Sequence, residues 1–249
     1  MDRREMLRQC LLLLGVSMAG RVSALDLDRA FGAAKSLTGA ATLSDEDIAN
    51  YCAQLAKEQD DANRVAAPDS EYGKRLATLT EGLDSYDGMT LNFKVYETEE
   101  VNAFAMADGT VRLYSGLLDL MTDDEVRYVV GHEMGHVKAG HSRKRMQVAL
   151  TTGGLRDAVA ASGTKHADLA DSQLGELFEK VVVAQHSQGN ENEADDYAMG
   201  FMKDKNFAPA ACVTALEKLD ALSGGGGSNW LSTHPAPKER AARMRGQLA

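Results

Sequence analysis

The apolar and polar positions of this chain change period twice. After Ser44-Asp45-Glu46-Asp47, a capping-type start, Ile48, Tyr51, Cys52, Leu55 and Ala56 recur at helical spacing. That pattern predicts a long polar helix interrupted by Pro68, then a second helix from about Ser70 to Leu83. Leu91 to Tyr96 then alternates apolar and polar, as a half-buried strand does. Val101–Ala107 and Thr110–Tyr114 follow as strands, joined by Asp108-Gly109, a strong two-residue hairpin signal. Everything beyond Ser115 reads as helix, with breaks near Gly153-Gly154, Gly163, Lys205-Asn206 and Gly224–Gly227. No internal repeat is present. The pattern predicts an α+β fold, mostly helical, with a small antiparallel β-sheet in its first half.

The first residues belong to a different class of segment. Arg3, Arg4 and Arg8 flank or precede a short apolar stretch from Cys10 to Ala19, and Val22-Ser23-Ala24 offers small side chains at a cleavage position. The stretch is about half the ~20 residues a bilayer-spanning helix needs. Residues 1–24 are therefore expected to be an export signal, of the general secretory or twin-arginine type, leading to the periplasm. A retained signal would hold the chain at the membrane surface. Residues 25–43 show no periodicity and are expected to form a flexible mature N-terminus. Cleavage after Ala24 removes four arginines and two acidic residues, taking the net charge from −10 to −12. Such an acidic chain does not suit a nucleic-acid surface, which draws on clustered Lys and Arg. Two cysteines remain, Cys52 and Cys212. In an oxidising compartment they form either one disulfide or two buried thiols.

The chemistry concentrates in Val129–His141, VVGHEMGHVKAGH. Thr122-Asp123-Asp124-Glu125 starts this helix as a capping box, and Val126, Val129 and Val130 carry it into the core. His132 and His136, four residues apart, lie ~40° apart around a helix of 3.6 residues per turn, so both rings can reach one ion. Glu133 is displaced by ~100°, too far round to be an equivalent ligand but placed to hold a water. This is the H-E-x-x-H arrangement of zinc proteases. Gly131 and Gly135 mark places where a neighbouring helix or a substrate strand comes close. His141 fails as a third ligand: the three-histidine motif needs glycine and histidine where this chain has Ala139 and Ser142. It is expected to be a helix-end or packing residue.

A carboxylate from a second helix is the other route to three ligands. Glu191, Ala194, Asp195 and Ala198 form one helical stripe in which the two alanines permit close approach. Glu191 can then ligate, with Asp195 hydrogen-bonded to a ligand histidine. Glu193 is the rival, although its stripe carries Asp196, Tyr197 and Gly200, which suits close packing less well.

Taken together, H-E-x-x-H at 132–136, E-x-x-A-D at 191–195, T-H-P at 233–235 and Arg240 resemble the gluzincin family that includes HtpX and the CAAX prenyl endopeptidases. Asn102-Ala103-Phe104, the Asp108-Gly109 hairpin and Ser115-Gly116-Leu117-Leu118 extend the similarity over residues 45–249. Without a multi-span membrane region, the chain most resembles the soluble periplasmic branch, whose members degrade misfolded envelope proteins. The resemblance implies a zincin-like metalloprotease domain over residues 44–249 and a zinc endopeptidase activity. It implies one Zn2+ per chain on His132, His136 and Glu191, with Glu133 as general base and Asp195 orienting a histidine ligand. His234 would lie near the metal, to stabilise the oxyanion or to cover the zinc at rest, and Arg240 would pair with a carboxylate near the site. The strand at Asn102, Ala103 and Phe104 would take an extended, unfolded substrate by strand addition. The Gly224–Gly227 run departs from the family pattern. A competing reading is a periplasmic chaperone or assembly factor with a silent zinc site; the presence of Glu133, which structural zinc does not need, argues against it.

Overall fold

A computed structural model describes residues 44–150, 171–223 and 230–248. The expected signal, the 25–43 segment and the expected breaks at Gly153-Gly154, Gly163 and Gly224–Gly227 lie outside these residues. Helix α1 (Asp45–Ala62) opens as its sequence requires: Asp47 N–H donates to Ser44 Oγ (3.1 Å) and Ser44 N–H to the Asp47 carboxylate (2.8 Å). It ends before Pro68, because both the backbone and side-chain amides of Asn63 turn back onto the Gln59 carbonyl. The freed segment runs extended, with Val65 bridged to Tyr96. Helix α2 (Glu71–Leu79) stops short of Leu83 at Thr80, and Gly82 follows at φ 71°.

A two-stranded ribbon, β1 (Ser85–Tyr86) and β2 (Met89–Thr90), turns on Asp87 (φ 49°) and Gly88 (φ 77°). The sequence reading passed over this second Asp-Gly pair, although its hairpin signal is the same. Strands β3 (Asn92–Tyr96), β4 (Ala103–Ala105) and β5 (Thr110–Tyr114) form a sheet in the order β3-β5-β4. The β4–β5 pair is antiparallel, as expected, whereas β3 joins β5 in parallel register. The cause is the 97–102 connection. Thr98 N–H donates to Ser115 Oγ (2.8 Å), which donates back to Thr98 C=O (2.7 Å), carrying the chain past β5 to its far edge. Below the sheet, buried Arg112 holds Asp60 through Nε (2.8 Å) and Nη2 (3.1 Å), with Lys94 and Tyr96 on the same carboxylate. This ties α1 to β3 and β5.

Helices follow: α3 (Ser115–Leu120), α4 (Asp123–Lys138), α5 (His141–Leu150), α6 (Asp171–Phe178, continuing through a π-helical turn over Glu179–Val183), α7 (Gln188–Asp204), α8 (Ala211–Ala221), α9 (Trp230–Thr233) and α10 (Pro237–Gly246). Asn206, at φ 59°, makes the break expected after α7. Helix α4 is the hub. Its Val126, Val129, Val130 and Met134 are fully buried among Ala198, Met202 and Leu216 of α7 and α8. A second apolar cluster packs Ile48, Tyr51 and Leu55 of α1 on Tyr96, Phe104, Met146 and Leu177. Each such side chain contributes about 1.5–3 kcal/mol by leaving water. Cys52 lies in the second cluster and Cys212 in the first, so they are separate buried thiols and not a disulfide. Burial pushes both thiols up to about 12. No helix among the described residues is long and apolar enough to cross a membrane.

Candidate active site

The site lies where α4 crosses α7, and the glycines of α4 determine the separation. A Cβ on Gly135 would sit 2.8 Å from Ala194 Cα and 2.9 Å from Ala194 O; one on Gly131 would sit 2.8 Å from a Phe201 ring carbon and 3.3 Å from Ala198 Cα. Small residues on both helices let the backbones touch, which the E-x-x-A-D stripe anticipates. Glu191 is thereby brought to His132 and His136. Glu193 points elsewhere: its carboxylate, 65% exposed, pairs with His141 instead.

His132 Nε2 and His136 Nε2 are 3.0 Å apart, His136 Nε2 is 3.3 Å from Glu191 Oε1, and His132 Nε2 is 3.6 Å from Glu191 Oε2. A tetrahedral ion with bonds of about 2.0–2.1 Å separates its ligand atoms by about 3.3 Å, so these three residues fit one. His234 belongs to the same cluster of donors. All four side chains are buried, and Glu133 Oε1, Glu191 Oε1 and His234 Nε2 lack hydrogen-bond partners. Polar atoms left unpaired in a protein interior are costly; a cation held by the cluster satisfies Glu191 Oε1 and His234 Nε2. The protonation states agree. Burial, then Arg240, pushes His132 down to about 4, and burial with the neighbouring imidazoles drives His136 and His234 well below the ordinary range. Neutral rings are the form that ligates. Burial pushes Glu133 up to about 7 and Glu191 up to about 8.

The candidate ligands are held from behind. Asp195 Oδ1 takes hydrogen bonds from His132 Nδ1 (2.9 Å), Tyr128 Oη (2.7 Å) and Arg240 Nη2 (2.7 Å). Burial opposes ionisation of Asp195, but Arg240 and His132 hold it well below the usual carboxylate range. Arg240 also donates Nε to Asp195 Oδ2 (2.9 Å), Nη1 to Glu191 and Nη2 to Tyr128 Oη (3.4 Å), so α10 braces both α4 and α7. Sequence reasoning named Arg240 but not the two carboxylates it joins, and it missed Tyr128.

His141 contacts the site despite its position in the chain. It was expected to be a helix-end or packing residue; α4 ends at Lys138, Gly140 follows at φ 71°, and α5 returns His141 Nδ1 to 3.0 Å from His136 Nδ1. His186 and Arg145, absent from the sequence reading, also belong here. The His186 ring lies 3.8 Å from that of His136, and Arg145 Nη2 is 2.7 Å from His186 Nε2. The only sequence signal for His186 was its place directly before Ser187, the cap of α7.

Glu133 Oε1 lies 3.5 Å from His234 Nε2. The His234 ring stacks on Trp230 at 4.4 Å. Thr233 Oγ1 donates to Trp230 C=O (3.0 Å), so toward His234 Nδ1 (2.7 Å) it can only accept. The carbonyl of Trp230 also lies 3.2 Å from His234 Nδ1. The His234 proton is therefore assigned to Nδ1, leaving the Nε2 lone pair toward the cluster. Strand β4 is a sheet edge. Asn102, Ala103 and Phe104 line a cleft of about 250 Å3 with Tyr114, Phe178, Val182 and Thr233.

Residues 76–248 match the model of Peptidase family M48. The chain is 45% identical over 209 residues to metalloprotease LoiP of Escherichia coli K12, spanning 84% of this chain and 83% of that protein. It is 39% identical over 226 residues to metalloprotease YcaL of the same organism, spanning 90% and 89%. With the β-barrel assembly-enhancing protease of E. coli it shares 30% identity over 164 residues, 62% of this chain and 34% of the other. A helical α+β fold, a two-histidine, one-glutamate donor set and these relatives agree: the chain belongs to peptidase family M48 and is a zinc metalloendopeptidase.

Proposed function

We propose that this enzyme is exported and hydrolyses unfolded or misfolded envelope proteins, with zinc on His132, His136 and Glu191 and with Glu133 as general base. One observation carries the reading: two helices pressed together by glycine and alanine bring three donor groups to tetrahedral spacing, with Glu133 beside them and its Oε1 without a hydrogen-bond partner. Zinc, when bound, supplies Lewis-acid polarisation of the scissile carbonyl and a lowered pKa for bound water. Glu133 takes the proton from the attacking water on Oε1 and delivers it to the leaving amine. Its burial, which raises its proton affinity, suits that exchange.

His234 presents a lone pair at Nε2, which supports covering the metal at rest over donating to an oxyanion. The edge of β4 supports strand addition. Its ladder bonds to β5 run through Asn102 and Met106, so the carbonyl of Ala103 faces the open side, while its N–H is held by Asn102 Oδ1 (2.9 Å). That geometry reads main chain more than side chain, which suits unfolded substrates. Export rests on the pattern of residues 1–24. One relative's name concerns β-barrel assembly, and the buried, self-covered donor set supports a second reading, an assembly factor with a latent zinc site.

The deciding experiment is cleavage of unfolded casein by the wild type and Glu133→Gln, with and without chelator, alongside zinc content. Wild-type cleavage lost in Glu133→Gln, with zinc retained, is the expected result. Equal cleavage by both would remove Glu133 from the mechanism, and zinc-loaded proteins that both fail to cleave would favour the latent reading. His234→Ala should accelerate cleavage if this histidine covers the metal, and slow it if the histidine stabilises the oxyanion.

A further inference from the structure

His136, His141 and His186 form a second cluster of buried donors, on the opposite ring nitrogen of His136 from the candidate metal. We propose that His141 and Glu193 form a hydrogen-bond relay that orients His136 as a ligand. The inference rests on the reading that His136 ligates through Nε2, the atom nearest His132 and Glu191.

A neutral imidazole bound through Nε2 carries its proton on Nδ1, and the partner of that proton sets the ring's orientation. For His136 the partner is His141 Nδ1, 3.0 Å away. His141 must accept there, which places its own proton on Nε2, and that atom lies 3.2 Å from Glu193 Oε2. One tautomer of each ring satisfies both bonds, and the relay ends on a carboxylate that is 65% exposed. Water solvates that charge, so no buried compensating cation is needed. The other ligand is supported differently. His132 donates directly to Asp195, a buried carboxylate neutralised by Arg240. Gly140 makes the relay possible: its positive φ ends α4 and returns the chain so that His141 starts α5 against His136.

The same three histidines could be taken for a second metal site. Two features count against it. His136 would have to bridge two cations with both ring nitrogens deprotonated, and His186 Nε2 already lies 2.7 Å from the Arg145 guanidinium, which repels a cation.

The test uses zinc affinity by chelator competition, metal stoichiometry, and the visible absorption of the cobalt-substituted protein. His141→Leu keeps bulk but removes the acceptor; His141→Asn places Oδ1 where Nδ1 was. His141→Leu should lose about 10–100-fold in zinc affinity and shift the cobalt bands, whereas His141→Asn should stay within about three-fold of wild type. Glu193→Gln, at the surface, should weaken zinc measurably in the wild-type background and not at all in His141→Leu, and it reads the relay independently of any folding defect. Wild-type affinity and cobalt bands in both His141→Leu and Glu193→Gln would overturn the relay while leaving the zinc site intact. Two cobalt ions per wild-type chain, one of them lost in His141→Leu, would overturn it in favour of a second metal site. A wild type that binds no zinc would overturn the relay together with the proposed function.

Discussion

Gly135→Ala tests whether helix packing sets the metal geometry. The added methyl would lie 2.8 Å from Ala194 Cα and 2.9 Å from Ala194 O, both backbone atoms that no side-chain rotation can clear. An ordinary carbon contact needs about 3.5–4.0 Å, so α7 must retreat from α4 by roughly 0.6–1 Å. Ala194 is three residues, less than one turn, from Glu191, so the Glu191 carboxylate moves with it. Sites of this kind tolerate about 0.5 Å of error. Overpacking costs about 1–3 kcal/mol, offset by the ~1 kcal/mol that alanine gains over glycine inside a helix. The net stability loss is therefore up to about 2 kcal/mol, or roughly 4–8 °C in Tm for a chain of this size. Zinc affinity should fall by at least ten-fold, read by chelator competition at neutral pH. The control is Gly200→Ala on α7, where nothing lies within 4 Å of the new methyl. It should raise Tm by a few degrees and leave zinc affinity unchanged. If Gly135→Ala bound zinc as tightly as the wild type, the claim that the α4–α7 separation fixes the ligand set would be refuted.

Other perturbations probe the supports. Arg240→Met leaves Asp195 and Glu191 as buried carboxylates without their cation and should cost about 3–5 kcal/mol in chemical denaturation. Arg240→Lys should not rescue it, because the two carboxylates are held by separate arms of one guanidinium; restoration by lysine would contradict this account. For Asp60, burial raises the pKa but the hydrogen bonds from Arg112, Lys94 and Tyr96 outweigh it, lowering the group from 3.8 to about 2. A lowered folded-state pKa means stability that is present above about pH 4 and lost as pH falls toward 2, worth about 2 kcal/mol. Asp60→Asn should therefore be less stable than wild type at pH 7, with the gap narrowing between pH 4 and pH 2; a constant gap would rule out this coupling.

Much of the site was legible because helical chemistry is periodic. His132, Glu133 and His136 are fixed relative to one another by one helix, and Glu191, Ala194, Asp195 and Ala198 by another, so spacing alone places each set on a face. The capping boxes and the Asp108-Gly109 hairpin were legible for the same reason: each is a local hydrogen-bond pattern written in adjacent residues. Helix ends were less so. The α1 stop at Asn63 is capped locally, but the extended segment after it pairs with β3, which no local signal announces.

What the sequence determined by itself was the set of donors within each helix, the close-approach residues and the acidic, mostly helical character. Only the tertiary structure decided which donors meet. It placed Glu191 and not Glu193 at the histidines, set β3 parallel to β5, and joined Arg240 to both carboxylates. It also returned His141, rejected as a ligand on motif spacing, to His136 after one left-handed glycine. The physical reason is common to all of these. A helix dictates angles among its own residues, but contacts between elements depend on turns and packing distances that accumulate over the whole chain.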